Sequence, residues 1–170
     1  MGDARIVLVM GPAGSGKTTV GQLLAGALGW PYFEADDFHP PANIAKMRRA
    51  EPLDDADRAP WLAAIRGRID ACVAEGRSAV FTCSALKRAY RHVVMDGVPG
   101  LRLVYLHADA ATLAARLAAR RGHFLPPELL TSQLAILEPP DDALAFDVRA
   151  HSAESIVAEI RRALGVADGT

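Results

Sequence analysis

A glycine-rich segment directly after a short apolar run most limits what this chain can fold into. Residues 6–10 (IVLVM) have the composition of a buried strand, residues 11–18 read GPAGSGKT, and apolar residues at helical spacing follow. This order of strand, loop and helix is the context in which G-x-x-x-x-G-K-[ST] forms a phosphate-binding loop. The alternative is an ordinary glycine turn, in which the lysine would be a coincidence.

The chemistry of phosphate binding explains each residue type in this loop. Glycines allow backbone N–H groups to wrap around phosphate oxygens, the Lys17 ammonium reaches the β- and γ-phosphates, and the Thr18 hydroxyl binds Mg²⁺. The pattern therefore predicts a site for a nucleoside triphosphate with Mg²⁺. The predicted nucleotide contacts within it are Gly11, Ala13, Gly14, Ser15, Gly16, Lys17, Thr18 and Thr19.

Short apolar runs alternate with longer helical patterns along the rest of the chain. This alternation is typical of βαβ units, and it predicts an α/β fold with a parallel sheet of about five strands. We place the strands at residues 6–10, 32–35, 79–83, 103–107 and 145–148. A helix is predicted after Pro60, and another after Ser152 as its N-cap. Residues 1–170 are predicted to form one domain.

Composition and charge exclude several classes of protein. The formal net charge is −1, which gives no basic surface for nucleic acid. The apolar runs are too short to span a bilayer, and the N-terminus lacks the features of a secretory signal, so we expect a cytoplasmic protein with no membrane partner. Cys72 and Cys83 are isolated in apolar surroundings, which favours a place in the core over a redox or metal site.

The other motifs in the chain indicate which class of nucleotide-binding protein it is. The chain has no N-K-x-D guanine signature, and its third predicted strand continues into Ser84, where many motor ATPases carry an acidic metal partner. Motor ATPases and switch GTPases are therefore disfavoured. A short chain with this loop is most consistent with a kinase for a small metabolite.

Two carboxylates follow the second predicted strand. Because side chains alternate along a strand, Glu34 and Asp36 are predicted to share a face that points toward the bound phosphates. One could hold the waters of the metal while the other accepts the proton of an attacking hydroxyl. The alternative is an acidic turn in which Asp36 or Asp37 caps a helix. His39, beside Pro40, is expected to be exposed enough to hydrogen-bond a ligand.

Cationic residues recur near the predicted crevice. Arg58 precedes the helix after Pro60, and Lys87 and Arg91 lie four residues apart in a predicted helix after the third strand, a spacing that suggests a shared anion. The alternative for this pair is a solvated basic face. Arg116 and Arg120 are also four apart, before a Gly/Pro-bounded loop suited to a lid, although cations favour any helix C-terminus.

Taken together, these segments resemble the gluconokinase family, small P-loop gluconate kinases related to shikimate kinase and more distantly to nucleoside monophosphate kinases. The resemblance covers nearly the whole chain. It rests on the blocks GPAGSGKTT, YFEADDFHP, NIAKM, EPLDDADRAPWL, CSALKRAYR, LVYLHAD and RLAARRGHFLPPELLTSQLAILEPP. It implies a three-layer α/β/α P-loop kinase with a lid at about residues 120–135. The implied reaction is ATP-dependent phosphorylation of D-gluconate to 6-phospho-D-gluconate by a Mg²⁺-dependent homodimer.

The resemblance also implies individual roles. Lys17 and Asp36 match the catalytic positions, Thr18 and Glu34 the metal positions, and Arg116 and Arg120 the adenine-stacking and lid arginines. The positions expected around gluconate are Asp36, His39, Arg58, Lys87, Arg91, His123 and Gln133. Glu34 departs from the family, which commonly has Asp there. Two alternatives stay open: a kinase for another polyol acid such as shikimate, and a non-catalytic nucleotide-binding module.

Overall fold

A five-stranded parallel sheet with helices on both faces forms the centre of the computed structural model, which describes residues 3–120 and 126–166. The strand order is β2-β3-β1-β4-β5. The strands are β1 (Ile6–Met10), β2 (Tyr32–Glu34), β3 (Ala79–Thr82), β4 (Leu101–His107) and β5 (Leu144–Asp147). The prediction of a five-stranded parallel sheet in an α/β fold is therefore confirmed.

Helices and one short 3₁₀ helix connect these strands. The α-helices are α1 (Lys17–Leu28), α2 (Pro41–Arg48), α3 (Asp55–Ala74), α4 (Arg88–Met95), α5 (Ala110–Ala118), α6 (Pro127–Ile136) and α7 (Ala153–Ala163), and the 3₁₀ helix is Ala35–Phe38. None of the helices in the described ranges combines the length and apolar composition that crossing a bilayer requires.

The core lies on both faces of the sheet because side chains alternate along each strand. In β1, Ile6 and Leu8 belong to the cluster that packs against α3, whereas Val7 and Val9 belong to the cluster that packs against α1 and α7. All of β1 is buried, as expected for a central parallel strand. Both predicted cysteine placements are confirmed, since Cys72 and Cys83 are free and buried.

Helix α3 starts earlier than the sequence predicts. Asp54 accepts a hydrogen bond from the Asp57 backbone N–H (2.7 Å), and the Asp57 side chain accepts one from the Asp54 N–H (3.0 Å). This reciprocal capping box stabilises a helix start before Pro60, which consequently lies inside the helix. The early start places Arg58 on the helix itself. The prediction for the last helix is confirmed, because Ser152 caps α7 through the Ser155 N–H.

The carboxyl ends of β1, β2 and β3 meet at one edge of the sheet. The glycine-rich loop follows β1, the 3₁₀ helix follows β2, and the segment that leads to α4 follows β3. In parallel α/β sheets, ligands bind in the crevice outside this edge. The residues that the sequence analysis singled out are therefore concentrated where the fold places its binding crevice.

Candidate active site

A cavity of about 430 Å³ opens at this edge of the sheet, and we call it the edge cavity. Its wall combines the glycine-rich loop, the end of β2, the 3₁₀ helix, α2, the start of α3, the end of β3 and α6. Its polar and charged lining residues include Lys17, Thr18, Glu34, Asp36, His39, Arg48, Glu51, Arg58, Ser84, Arg120, Ser132 and Gln133.

The glycine-rich loop has the backbone geometry of an anion cradle. Gly14 and Gly16 have φ values of 84° and 91°, and a Cβ on Gly14 would lie 2.9 Å from the Leu113 carbonyl oxygen. The loop ends at the N-terminus of α1, whose first N–H groups have no partner within the helix. Ser15 Oγ is buried and has no hydrogen-bond partner within residues 3–120 and 126–166. These groups fit the oxygens of a phosphate.

Lys17 lies between the loop and the carboxylates. Its ammonium donates a hydrogen bond to the Pro12 carbonyl oxygen (3.1 Å). Burial lowers the pKa of Lys17, and the neighbouring Asp36 carboxylate opposes this shift most strongly. The nearby carboxylates do not fully compensate for burial of the Lys17 ammonium. A bound phosphate would add the negative charge that stabilises it.

Thr18 and Glu34 form a set of oxygen ligands that suits Mg²⁺. Thr18 Oγ1 donates a hydrogen bond to Glu34 Oε2 (2.9 Å), which leaves the hydroxyl lone pairs free for a cation. No group of three or more His, Cys, Asp and Glu side chains among the described residues is arranged to hold a metal. Mg²⁺ needs no such group, because it commonly uses one or two carboxylates together with phosphate oxygens and water.

Asp36 reaches the edge cavity by a route that the sequence did not predict. The strand ends at Glu34, so Asp36 belongs to the 3₁₀ helix and the alternation argument for a shared strand face was wrong. The tight turn nevertheless directs both carboxylates into the cavity. Burial raises the pKa of Asp36, Lys17 opposes the shift, and Glu34 adds to it.

His39 was predicted to be exposed, and this prediction was wrong. It is 9% exposed, and its ring stacks on Trp61 with centroids 4.3 Å apart. Asn43 Nδ2 lies 3.2 Å from His39 Nδ1, and because Nδ2 can only donate, the ring hydrogen must be on Nε2. Burial lowers the pKa of His39 to about 4, with a further contribution from Arg58. Its neutral ring still lines the edge cavity.

Arg58 is held against the cavity wall by its neighbours. Its guanidinium donates to Tyr90 Oη (3.1 Å) and to the Leu53 carbonyl oxygen, and it lies 5.2 Å from the centre of the Tyr90 ring. Sequence reasoning missed Arg48, which also lines the cavity from the last turn of α2. The one sequence feature that could have indicated Arg48 is its spacing of four residues from Ile44, which puts both on the same face of the helix.

Lys87 and Arg91 do not form the shared anion site that their spacing suggested. Helix α4 begins at Arg88, so Lys87 is its N-cap, and its ammonium pairs with Asp55 (3.1 Å). Arg91 is buried and donates to the carbonyl oxygens of Ala85 (2.8 Å), Leu86 (3.2 Å) and Glu138 (2.8 Å). The interpretation of Arg91 as a gluconate ligand is therefore replaced by a structural one, and neither residue lines the edge cavity.

Arg116 and Arg120 face different spaces. Helix α5 ends at Ala118, so the two arginines do not share a helical face. Arg116 donates to the Val148 carbonyl oxygen (3.1 Å) and lines a second cavity of about 370 Å³ beside the loop, with Ser15, Gly16 and Thr19. Arg120 lines the edge cavity.

Gln133 connects α6 to the glycine-rich loop. Its Oε1 accepts a hydrogen bond from the Ala13 backbone N–H (2.8 Å), so this N–H is occupied and its predicted phosphate contact is not available in this arrangement. Gln133 also lines the edge cavity, and its amide hydrogens remain for a ligand. His123 and the loop 121–125 of the predicted lid lie outside the described residues.

A phosphate cradle on a 2-3-1-4-5 parallel sheet, opening into a cavity lined by carboxylates and several cations, defines a P-loop kinase for a small molecule. A family model described as an AAA domain matches residues 6–140. The gluconokinase of Gluconobacter oxydans is 49% identical over 138 residues, which are 81% of this chain and 78% of that protein. The chain belongs to the gluconokinase family.

Solved structures agree with this assignment. A gluconokinase from Sinorhizobium meliloti superposes with a TM-score of 0.83 at 45% identity. The match covers 96% of this chain and 92% of the Sinorhizobium protein. A sugar kinase from a Janibacter species gives a TM-score of 0.88 at 42% identity, covering 97% and 96% respectively. The similarity therefore includes the whole P-loop kinase fold.

Proposed function

We propose that this chain transfers the γ-phosphoryl group of ATP to D-gluconate, giving 6-phospho-D-gluconate and ADP. The observation that carries the proposal is the edge cavity, which the loop residues Lys17 and Thr18 line together with Asp36 and Arg58. Membership of the gluconokinase family supports gluconate as the acceptor.

The glycine-rich loop would hold the triphosphate. Its backbone N–H groups and the N-terminus of α1 favour the negative charge, and Lys17 neutralises charge on the β- and γ-phosphates. We assign contact with the base to Arg116, which lines the second cavity beside the loop. Thr18 and Glu34 would hold Mg²⁺, which when bound neutralises the charge that develops on the phosphate oxygens.

Asp36 is the proposed proton acceptor for the attacking hydroxyl of gluconate. Its carboxylate lines the same cavity as Lys17 and interacts with it electrostatically, so a hydroxyl that it orients would lie next to the γ-phosphate held by the loop. A raised pKa makes the Asp36 carboxylate a stronger base. Catalysis would otherwise depend on positioning and on charge neutralisation.

The remaining lining residues fit a polyol that carries one carboxylate. Arg58 and Arg120 supply cations for the carboxylate, and the His39 Nε2–H and the Gln133 amide supply donors for hydroxyl oxygens. A site that hydrogen-bonds each hydroxyl rejects acceptors that lack one by orders of magnitude.

The test is an assay that couples ADP release to a chromogenic reaction, run with Mg²⁺-ATP and with or without D-gluconate. We expect gluconate-dependent release and a 6-phosphate product by phosphorus NMR. Turnover with shikimate or another polyol acid at a higher kcat/KM would favour the alternative acceptor. Nucleotide binding without turnover on any acceptor would favour a non-catalytic module.

Three further parts of the proposal concern the protein as a whole. We propose that residues 1–170 act as one domain, with a lid at about residues 120–135 that closes over the nucleotide. We also propose a homodimer, which sedimentation analysis would test. The cytoplasm is the proposed location because it supplies ATP.

A further inference from the structure

Tyr32 is hydrogen-bonded to Glu34, and the proposed mechanism gives Tyr32 no role. They lie two residues apart on β2, so strand alternation puts them on one face, and Thr82 of β3 lies opposite Glu34 in the ladder. The Tyr32 hydroxyl donates a hydrogen bond to Glu34 Oε2, and Tyr32 Oη lies 3.1 Å from Thr82 Oγ1. Thr18 Oγ1 donates to the same Glu34 oxygen (2.9 Å).

The directions of these hydrogen bonds follow from the number of hydrogens available. An ionised carboxylate only accepts, so the single hydroxyl hydrogen of Tyr32 is used on Glu34. Thr82 must then be the donor to Tyr32 Oη. Both bonds to Glu34 end on Oε2, which leaves Oε1 as the oxygen that can face a metal ion or its waters.

The Tyr32 ring is fixed by the packing around it. A Cβ on Gly21 of α1 would lie 2.7 Å from Tyr32 Cε2 and 2.6 Å from Thr82 Cγ2. The helix can therefore pack this closely against the two side chains only because residue 21 is glycine. A phenol hydroxyl has a single hydrogen, and this one is used on Glu34 Oε2. The donor to Glu34 is therefore held in place before any ligand binds.

A fixed donor is needed because glutamate is a flexible ligand. Ordering its side chain costs rotamer entropy, and a loose carboxylate loses that entropy each time a metal binds. Residues that orient a metal ligand typically change metal affinity by roughly 10–100-fold when they are removed.

We propose that Tyr32 is a positioning residue for the metal site: its hydroxyl fixes the Glu34 carboxylate so that Oε2 accepts the Thr18 hydrogen and Oε1 stays available to a metal ion or its waters. The inference rests on the proposed Mg²⁺-dependent function. It assigns Tyr32 no contact with gluconate or with the transferred phosphoryl group.

The test is the Mg²⁺ dependence of Tyr32→Phe, which removes only the hydroxyl. Binding of a non-hydrolysable ATP analogue is measured by calorimetry over a series of Mg²⁺ concentrations, together with kcat. We expect half-saturating Mg²⁺ to rise about tenfold. Analogue affinity without Mg²⁺ and kcat at saturating Mg²⁺ should stay within about threefold of the wild type, because the loop and Asp36 are untouched.

The matched control is Tyr105→Phe on β4, outside both cavities, which should change none of these values.

A second comparison separates positioning from general stability. In a Glu34→Ala background, adding Tyr32→Phe should change half-saturating Mg²⁺ by less than about twofold, because the side chain that the hydroxyl orients is gone. Equal effects in both backgrounds, or an unchanged Mg²⁺ dependence in Tyr32→Phe, would overturn the inference. If Tyr32→Phe does not fold, Thr82→Val removes the donor to Tyr32 and should shift the Mg²⁺ dependence in the same direction; an unchanged value would again contradict us.

These outcomes can be told apart from failure of the proposed function. If the wild type binds the analogue in a Mg²⁺-dependent way but does not phosphorylate gluconate, the proposed function fails while Tyr32 can still be tested by binding. If the wild type phosphorylates gluconate and Tyr32→Phe responds normally to Mg²⁺, only the inference about Tyr32 fails.

Discussion

The nucleotide side and the acceptor side of the edge cavity are built in different ways. The nucleotide side is one continuous segment, residues 11–18, whose shape depends on glycine backbone angles and on the start of α1. The acceptor side combines separate segments through long-range side-chain contacts such as Arg58 with Tyr90 and Asn43 with the Asp57 carbonyl. Changes on the acceptor side should therefore alter turnover and stability while nucleotide binding persists.

A hydrogen bond between α6 and the glycine-rich loop joins the two sides. Gln133 Oε1 accepts from the Ala13 N–H, so α6 on the acceptor side is fixed to the loop on the nucleotide side. Apart from such links, the comparison predicts that each side can be disabled separately. The following experiments test that separation, from the largest expected effect to the smallest.

Lys17→Ala should lower kcat/KM on the order of 10⁴-fold, because no other group in the loop can replace a charge at the γ-phosphate. Lys17→Arg should not rescue activity, since a planar guanidinium does not fit a site built for a compact ammonium. Steady-state kinetics with Mg²⁺-ATP and gluconate provide the measurement. Activity within tenfold of the wild type in either variant would contradict the role of Lys17.

Asp36→Ala should keep binding of an ATP analogue within a few-fold and lower kcat by about 10²–10³-fold, because it removes only the proton acceptor. In the wild type, activity should fall as the pH drops through the pKa of Asp36. The acid limb of the kcat/KM profile should lie above the usual carboxyl value of 3.8, since burial raises this pKa. Retained turnover within a few-fold would instead support substrate-assisted loss of the proton.

Arg91→Met should destabilise the protein by about 3 kcal/mol, because three carbonyl oxygens lose a charged donor inside the fold. Urea unfolding measures the change, and the KM for gluconate should stay within about twofold of the wild type. A tenfold rise in KM without loss of stability would restore Arg91 as an anion ligand.

His39 should make the free energy of unfolding depend on pH. Its folded pKa of about 4 lies below the unfolded value of 6.5, so between these values the unfolded state binds a proton that the folded state does not. Stability should consequently be lower at pH 5 than at pH 7 by about 2 kcal/mol from this residue. His39→Phe keeps a ring against Trp61 and should remove this part of the pH dependence. An identical dependence in the variant would show that other groups cause it.

Lys87→Met should have the smallest effect. The Lys87–Asp55 ion pair is at the surface, and such pairs contribute little to stability. Thermal unfolding and the KM for gluconate should both remain close to wild type. A KM raised tenfold would mean that Lys87 leaves Asp55 to bind the acceptor, and the structural assignment would be wrong.

Much of the fold follows from local patterns. The apolar run before the glycines predicts β1, and the capping Ser152 predicts the start of α7, because both depend on residues close together in the chain. The placement of Asp36 could not be derived this way. Strand alternation assumes that β2 continues, and only the packing of the 3₁₀ helix, where Trp61 Nε1 donates to the Ala35 carbonyl (2.7 Å), ends the strand at Glu34.

The roles of Lys87 and Arg91 also could not be predicted from local sequence patterns. Spacing put Lys87 and Arg91 on one helical face, but spacing does not reveal which partners a long side chain meets after folding. Asp55 and the Glu138 carbonyl are distant in sequence from the residues that they hold. The sequence also gave no reason to connect Tyr32 with the metal site, because that connection requires β3 and α1 to meet around its ring.

The sequence by itself determined the phosphate loop, the order of strands and helices along the chain, and the chemical class of the site. Those features depend on backbone angles that glycine permits and on the periodicity of apolar residues. The tertiary structure decided which charged groups face the edge cavity, which ones support it, and that His39 is buried and neutral. The physical reason is that hydrogen-bond partners and burial are set by groups far apart in the chain, which meet only when the sheet and its helices pack together.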